Sequence, residues 1–333
     1  MRAVDLVESD PGADVLVVTN LWPEPARPAY GVFVQRQVSS LRAAGARCDV
    51  VYIRGFATPR AYVEGAWRLG LATFRGRRYR VVHAHAGETA LAARFHLGAP
   101  MVVSYQGDDL LGDRDAAGNI PPVWRVRSQI VRWHSQLFDA TITKTRAMEA
   151  VLPPRARRRN HVVPNGVDRE LFAPGDREGA RRELGWDDGR VALFVATKPR
   201  SPRKRLALAE AACAAAEVRL HVADDVDPAS MPTLMRAADC LVLTSSLEGS
   251  PNAVKEALMC NLPVVSTRVG DVEELLAGVE PSWLCEPTEE SFTAALRECI
   301  ADGRRSNGRE VAAYLDEGRI ADRILRIYDE VGR

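Results

Sequence analysis

The amino-acid sequence predicts an α/β fold with two doubly wound domains that face each other across a cleft. The chain has 333 residues, which is too long for one ordinary core and fits two domains of roughly 150 residues each. Short apolar runs rich in β-branched residues alternate with amphipathic segments, as in parallel sheets covered by helices. The alternation stops near residues 165–174 and then restarts, which places the domain boundary there.

The composition excludes several classes of protein. Hydrophobic residues make up 46% and charged residues 27%, and the net charge of +1 gives no bulk attraction to nucleic acid. The six cysteines show no C-x-x-C pair and no zinc-like spacing, so we expect small core residues in a reducing, cytoplasmic compartment. Acidic residues near the start argue against a signal peptide, and no uncharged apolar stretch approaches ~18 residues, so no membrane-spanning helix is expected.

The first half alternates six predicted strands with helices. Residues 1–13 are polar, and we expect a loosely docked tail. The strand at 14–19 is followed by a loop with three prolines. Gly31 comes directly after this loop, at the start of a predicted helix that ends at Gly45. Further strands are predicted at 48–53, 80–85, 100–105 and 140–143 and at the start of 161–168. Helices are predicted at 61–76, 87–98, 122–138 and 144–151.

The second half repeats this rhythm. Strands are predicted at 191–197, 218–223, 240–245 and 263–267. Helices are predicted at 177–185, 206–216, 231–238, 291–301 and 310–331, and one more begins at about Pro251. Two such domains imply a cleft between them, which is the usual place for a small-molecule site.

The stretch 239–270 carries the strongest signal for a site. Its β-loop-α-β pattern places a ligand at the carboxyl ends of the strands. Ser250 is a candidate N-cap, and Pro251 suits the first helical position. Unpaired amides of the first turn, together with the helix dipole, would bind a phosphate or a hydroxyl-rich ligand. The amides in question belong to Gly249, Ser250, Asn252 and Ala253.

Two carboxylates flank this turn. Glu248 follows the strand and can contact a ligand, and Glu256 lies about two turns into the helix, where it could accept hydrogen bonds from a ribose diol. From this segment alone, an interpretation without a ligand is equally good: Glu248 would then be a solvated loop residue and Glu256 a surface helix residue.

A basic loop follows the strand at 191–197. By the strand-end rule it faces the same cleft, so one or two of its cations could neutralise a diphosphate, although without the neighbouring turn a solvated loop would be the better interpretation. Its charged residues are Lys198, Arg200, Arg203, Lys204 and Arg205.

For other polar residues near strand ends, a structural interpretation is favoured over a functional one or is equally good. His83 and His85 alternate with apolar residues, so both point to one side of their strand, and a structural role is favoured for each. Asp108 and Asp109 fit a metal pair or a hydrated turn equally well. The cluster Arg75, Arg77, Arg78 and Arg80 could touch an anionic membrane or an acidic acceptor, but a solvated charge run is favoured.

These residues together resemble the family-4 retaining glycosyltransferases. The segment EGSPNAVKEALMCNLPVVSTRVGDVEEL is similar to the donor-sugar signature of that family, with Glu248 and Glu256 in its Glu-x7-Glu spacing. The likeness extends from about Val15 to Tyr328 and includes NLWPEPARPAYG, SYQGDDLLG, HVVPNGVDRELFAP and PRKR. It implies the GT-B fold, with an acceptor-side domain at 1–168, a nucleotide-sugar domain at 169–312 and a C-terminal helix at 313–333 that packs back on the first domain.

The resemblance also implies roles for individual residues. Glu248 would contact the transferred sugar, and Glu256 would hold the nucleotide ribose. Lys204, helped by Lys198, would bind the diphosphate and stabilise the leaving group, and Gly31 would let the N-terminal loop approach that phosphate. The implied donor is a nucleotide-diphosphate sugar, the acceptor a glycan, a lipid-linked sugar or a small molecule, and no metal or other cofactor is required. A peripheral membrane contact would fit such an acceptor.

Three departures from the family pattern bear on these roles. Gln106 stands where family members often have histidine, on the acceptor side that the resemblance assigns to Gln106 and Asp108. Ala196-Thr197-Lys198 replaces a common glycine-arginine pair, and Asp271 stands where a second glycine is common. A GT-B epimerase and a non-catalytic nucleotide-sugar-binding scaffold therefore stay as alternatives to the transferase.

Overall fold

The protein folds around two separate sheets. The structure is a computed structural model, and it describes residues 3–55, 58–74, 76, 78–115 and 119–332. Within these ranges, one sheet of seven strands precedes residue 163 and a second sheet of five strands follows residue 190. The result confirms the α/β class with two doubly wound sheets.

The first sheet has the strand order β1-β3-β2-β4-β5-β6-β7. All neighbours are parallel except β1, which is antiparallel to β3. The chain reverses its direction of travel across the sheet between β2 and β4, and ligands bind at such switch points. The strands are β1 (Val4–Glu8), β2 (Val15–Thr19), β3 (Cys48–Ile53), β4 (Val81–His85), β5 (Met101–Ser104), β6 (Ala140–Thr143) and β7 (Asn160–Val162).

The second sheet is parallel throughout and has the order β12-β11-β10-β8-β9. Its switch point lies between β8 and β10, where Leu241 pairs with Leu193. The strands are β8 (Val191–Ala196), β9 (Arg219–Asp224), β10 (Cys240–Leu243), β11 (Val264–Thr267) and β12 (Ser282–Cys285).

Helices cover both faces of each sheet. Those associated with the first sheet in sequence are α1 (Val32–Ala43), α2 (Arg60–Phe74), α3 (Gly87–Ala93), α4 (Asp108–Leu111), α5 (Pro122–His134), α6 (Arg146–Ala150) and α7 (Pro154–Arg157). Those that follow are α8 (Arg177–Leu184), α9 (Leu206–Ala215), α10 (Met231–Ala237), α11 (Asn252–Met259), α12 (Val272–Leu276), α13 (Glu289–Asp302), α14 (Gly308–Val311) and α15 (Glu317–Val331). Short 3-10 turns occupy Ser135–Leu137, Pro202–Lys204 and Ala313–Leu315.

The last helix packs against the first sheet. The apolar side chains of α15 share one core cluster with β2, β3 and α1. Ile320, Ile324 and Ile327 are at most 3% exposed, and Tyr328 is fully buried, where its hydroxyl bonds to His83. The amphipathic pattern of α15 is therefore satisfied by the first sheet, although the second domain precedes this helix in sequence.

The prediction of a loose tail at the N-terminus is wrong for the described part of that segment. Residues 4–8 form β1, and its charged side chains are ion-paired rather than solvated. Arg54 donates to Asp5 at 2.5 Å, and Arg42 bonds to both Glu8 and Asp10. These arginines lie more than thirty residues away in sequence, so the local pattern did not show them.

Four smaller expectations of the sequence analysis are compared with the structure here: an N-cap, a helix, a basic cluster and the cysteines. Ser250 is not the N-cap of α11; Pro251 holds that position, and the Ser250 hydroxyl donates to Asp271 at 2.6 Å. The helix predicted at 310–331 is broken into α14, a 3-10 turn and α15. Arg75 and Arg77 of the predicted basic cluster lie outside the described residues. All six cysteines are free and buried, as predicted.

Candidate active site in the interdomain cleft

The cleft lies where the switch points of the two sheets face each other. Its cavity has a volume of about 540 Å³, within the usual range for small-molecule sites. Arg200 and Arg205 of the basic loop do not line the cavity. The donor-side and acceptor-side residues that the resemblance implied do line it: Gly31, Gln106, Asp108, Lys198, Lys204, Glu248, Gly249, Ser250, Asn252, Ala253 and Glu256. These residues come from four separate segments of the chain, at the start of α1 and after β5, β8 and β10, and the fold brings them together.

The loops after β8 and β10 are joined to each other by hydrogen bonds. The Thr244 hydroxyl donates to the carbonyls of Lys204 and Arg205 at 2.8 and 3.0 Å, and the Ser246 amide donates to the carbonyl of Arg203 at 2.7 Å. Arg205 has a φ of 50°, so the chain turns sharply just after the basic loop. The backbone of the basic loop is thereby fixed next to the acidic loop.

Lys204 and Glu248 form an ion pair at this junction. The Lys204 ammonium donates to the Glu248 carboxylate at 2.6 Å, and Arg203 lies 3.9 Å from the other oxygen. Burial alone would raise the pKa of Glu248, but the charges of Lys204 and Arg203 outweigh it, and the pKa lies below its ordinary value. Glu248 is therefore ionised at neutral pH and holds Lys204 at the cavity wall.

The amino end of α11 supplies backbone donors. The amides of Gly249, Ser250, Asn252 and Ala253 have no hydrogen-bond partner in the part of the chain that the structure describes. The helix dipole adds a partial positive charge at this end, so the turn attracts an anion or hydroxyl oxygens. The hydrogen bond from the Ser250 hydroxyl to Asp271 restrains the backbone of this turn.

Glycine is required where the two domains touch at the cleft floor. A Cβ on Gly249 would lie 2.9 Å from the Gln106 carbonyl oxygen and 3.1 Å from the Cα of Gly107. Any side chain at Gly249 would therefore push the domains apart. Gly31, at the start of α1, has a φ of 75°, and a Cβ there would lie 2.2 Å from the carbonyl carbon of Leu21.

Two polar contacts cross the cleft near α11. Arg36 of α1 donates to Glu256 at 2.7 Å, and Asn165 donates to the side chain of Asn252 at 3.2 Å. Burial raises the pKa of Glu256, and the charge of Arg36 offsets part of that rise. Further along the wall, the Ala29 amide donates to Asp225 at 3.3 Å, which ties the proline-rich loop to the second domain.

The wall formed by the first domain contains two neighbouring carboxyl groups whose pKa values are raised by burial. Asp109 accepts backbone N–H bonds from Gly87, Gln106 and Gly107, yet burial raises its pKa to about 7, with the neighbouring Asp108 as a further cause. Burial also raises the pKa of Asp108. Within the described ranges, no group of three or more His, Cys, Asp or Glu side chains could hold a metal ion.

The histidines of β4 have structural partners. His83 bonds to Tyr328 at 2.5 Å and to Ser104 at 2.8 Å, and burial lowers its pKa to about 3. His85 lies on the same side, with its ring centre 4.4 Å from that of His83, and its Nδ1 is 3.4 Å from the Gln106 amide nitrogen. Both rings are neutral at pH 7.

The sequence reasoning missed a lysine in the cleft. Lys144 follows β6 at its carboxyl end, lines the cavity and is only 3% exposed. Burial lowers its pKa to about 7, and the positive charge of Lys255 lowers it further. The strand-end rule that identifies Gln106 applies equally to Lys144, but the sequence pattern places Lys144 at the start of the predicted helix at 144–151.

Comparisons with known proteins agree with this geometry. Residues 9–171 match the family model described as Glycosyltransferase Family 4, and residues 182–302 match the one described as Glycosyl transferases group 1. A curated relative, the D-inositol 3-phosphate glycosyltransferase of Segniliparus rotundus, is 27% identical over 304 residues. That match covers 75% of this chain but 66% of the relative, so the chain spans just under two thirds of that protein.

Solved structures resemble the whole chain. Sucrose-phosphate synthase from Thermosynechococcus elongatus has a TM-score of 0.74 at 18% identity, over 95% of this chain and 98% of that one. Anabaena Alr3699/HepE, solved in complex with UDP-glucose, has a TM-score of 0.68 at 17% identity, over 95% and 99%. At these identities the likeness shows the fold, and the fold is GT-B.

Proposed function

Because the chain belongs to the glycosyltransferases, with a first half that matches Glycosyltransferase Family 4 and a second half that matches Glycosyl transferases group 1, we propose that it moves a hexose-type sugar from a nucleotide-diphosphate sugar to an acceptor hydroxyl with retention of configuration and without a metal ion. The observation that carries the proposal is the Lys204–Glu248 pair beside the free amides of α11, inside one interdomain cavity. The solved complexes of Alr3699/HepE with UDP and UDP-glucose support this class of donor.

The donor is proposed to lie with its diphosphate against the basic loop and the start of α11. Lys204 and Lys198 supply positive charge where negative charge develops on the leaving diphosphate, and the amides of Asn252 and Ala253 bind oxygens of the same group. Lys204 is held ready by Glu248, so little reorganisation is needed when the donor arrives.

The two carboxylates of the turn are proposed to have separate tasks. Glu248 lies at the cavity wall and contacts hydroxyls of the sugar, while Glu256 accepts hydrogen bonds from the ribose with the oxygen that Arg36 leaves free. Catalysis then rests on positioning and charge stabilisation in a closed cleft. The leaving phosphate itself takes the proton of the acceptor hydroxyl.

The acceptor is proposed to enter along the first domain, past Gln106 and Asp108. Relatives named for inositol 3-phosphate make a phosphorylated polyol the first soluble class to test. Lys144 lies in this wall and offers the positive charge that an acceptor phosphate would need.

A donor panel tests the proposal directly. Thermal shifts with UDP, GDP, ADP and TDP identify the nucleobase, and hydrolysis of the matching sugar nucleotide in EDTA tests turnover and metal independence. NMR of the released sugar shows its anomeric configuration. Binding without turnover would favour a scaffold, conversion of the donor to an isomeric sugar nucleotide would favour an epimerase, and an inverted product would exclude retention.

A further inference from the structure

Helix α5 carries a stripe of exposed apolar side chains. Val123, Val126, Ile130 and Trp133 follow one another at spacings of three and four residues, so they share one side of the helix. They are between 52% and 70% exposed. The residues that α5 buries are Ser128, Val131 and His134, so most of its apolar surface faces outward.

Neighbouring helices extend this surface. Leu91 of α3 closes a groove with Val123, Val126 and Ile130, and Phe95 just after α3 is 59% exposed. On α2, Trp67 and Gly70 are three residues apart and lie on the same side of the helix. A Cβ on Gly70 would lie 3.7 Å from the Phe95 carbonyl oxygen, so this side of α2 adjoins the end of α3. The exposed residues of α2, α3 and α5 therefore form one apolar face, which we call the α5 face. Exposed apolar residues that lie together in this way are typical of an interaction surface.

The charges around the α5 face are mostly positive. Helices α2, α3 with its capping Arg94, and α5 contain six arginines and two glutamates. Both glutamates are paired: Glu64 with Arg68 at 2.6 Å and Glu88 with Arg127 at 2.5 Å. The exposed Arg60, Arg94 and Arg125 remain to meet an outside anion.

We propose that the α5 face docks on an anionic lipid bilayer. An amphipathic helix with arginine and exposed tryptophan suits insertion in the plane of the headgroups, where the apolar side is buried and the cations meet anionic lipid. A symmetric pair of protein copies fits less well, because a two-fold axis would bring arginines against arginines. Among the described helices, none has both the length and the apolar character needed to cross a bilayer.

The α5 face meets the candidate active site at its rim. Glu88 and Arg127 line both the apolar groove and the interdomain cavity. A bilayer bound here would present its headgroups at the acceptor side of the cleft. If the proposed transferase function holds, the docking surface makes a lipid-linked hydroxyl compound the acceptor class.

Vesicle flotation tests the docking with the full chain. The protein should float with vesicles of phosphatidylglycerol and phosphatidylcholine, less with phosphatidylcholine alone, and less at high salt. The double variant Ile130→Glu, Trp133→Glu should lower the bound fraction by more than about tenfold, because it removes two apolar side chains from the buried surface and places two negative charges against anionic headgroups. The matched control is Leu6→Glu, a change to an exposed apolar residue outside the α5 face.

Three outcomes would overturn the docking proposal: no flotation of the native protein, equal flotation of the double variant, or a concentration-dependent dimer in sedimentation that the double variant abolishes. Hydrolysis of the donor in water separates this result from the proposed function. Loss of flotation with intact hydrolysis supports the surface, whereas a native protein that floats but never turns over donor leaves the surface standing and defeats the transferase.

Discussion

The two walls of the cleft differ in how their charges are held. On the wall of the second domain, Lys204 and Glu248 neutralise each other in an ion pair, and the pKa of Glu248 is lowered. On the wall of the first domain, Lys144 and Asp109 are buried without an ion pair in the described structure, and the pKa of each is about 7. A buried charge with a partner stays charged, while one without a partner titrates toward its neutral form.

This difference separates a fixed wall from a variable one. On the second-domain wall, the lowered pKa of Glu248 keeps its carboxylate ionised at neutral pH beside Lys204. On the first-domain wall, Lys144 and Asp109 each change charge near pH 7, so the charge of this wall depends on pH. Single substitutions on each wall test this difference.

The largest effect is expected for Lys204→Ala. The variant removes the ammonium that would meet the diphosphate and leaves Glu248 with only the more distant Arg203. We expect kcat/KM for donor hydrolysis to fall by about 10²–10³-fold, as for the loss of one preorganised donor of charge stabilisation. The control is Arg200→Ala in the same loop, because Arg200 is exposed. Equal rates for the two variants would remove Lys204 from the site.

A smaller effect is expected for Glu256→Gln. The amide keeps the shape but weakens hydrogen bonds to the ribose, so affinity for the nucleoside diphosphate should fall by about 1.5–3 kcal/mol. Calorimetry with the ribose 2′,3′-dideoxy analogue provides the check, since the variant and the native protein should bind the analogue alike. The exposed Glu290→Gln is the matched control. If Glu256→Gln weakened binding of the analogue as much as binding of the nucleoside diphosphate, Glu256 would act only through Arg36.

The variable wall is tested by the pH dependence of stability in Lys144→Met. Burial lowers the pKa of Lys144 from 10.5 to about 7, so between these values the unfolded chain binds one proton more than the folded protein. The free energy of unfolding of the native protein should therefore rise with pH in this window by about 1.4 kcal/mol per pH unit relative to the variant. Below pH 7 the native protein carries the full cost of burying the charge.

Urea denaturation of both proteins at pH 6, 7, 8.5 and 10 measures this difference. The advantage of the variant should be greatest at pH 6 and 7 and should shrink toward pH 10. Lys198→Met, on the second-domain side of the cleft, controls for loss of a lysine. If the two proteins differed in their free energy of unfolding by the same amount at every pH, the pKa of Lys144 would not be lowered in the folded protein.

The smallest effect is expected for Gln106→Ala. Gln106 lines the cavity and donates to the Ser104 carbonyl at 3.2 Å, so its free amide oxygen can meet an acceptor hydroxyl. The loss of one neutral hydrogen bond corresponds to about 0.5–1.5 kcal/mol, or a few-fold rise in acceptor KM. Steady-state kinetics should show the acceptor KM changing more than the donor KM. The reverse order would move Gln106 to the donor side.

Two amphipathic helices show where sequence patterns stop being informative. Both α5 and α15 have apolar residues at helical spacing, and both were predicted as helices. In α15 the apolar side is buried against the first sheet, whereas in α5 it faces outward. Periodicity fixes the direction of each side chain around its own helix, but which side is covered depends on elements far away in sequence.

The sequence alone determined the two α/β halves and the residues at the carboxyl ends of their strands, because strand and helix patterns are local and parallel strands end on one edge. Only the tertiary structure decided which charges pair. Glu248 meets Lys204 across 44 residues and Glu256 meets Arg36 across 220, while Lys144 and Asp109 are left to titrate. Ion pairing and burial act over a few ångströms in space, and spacing along the chain does not encode that distance.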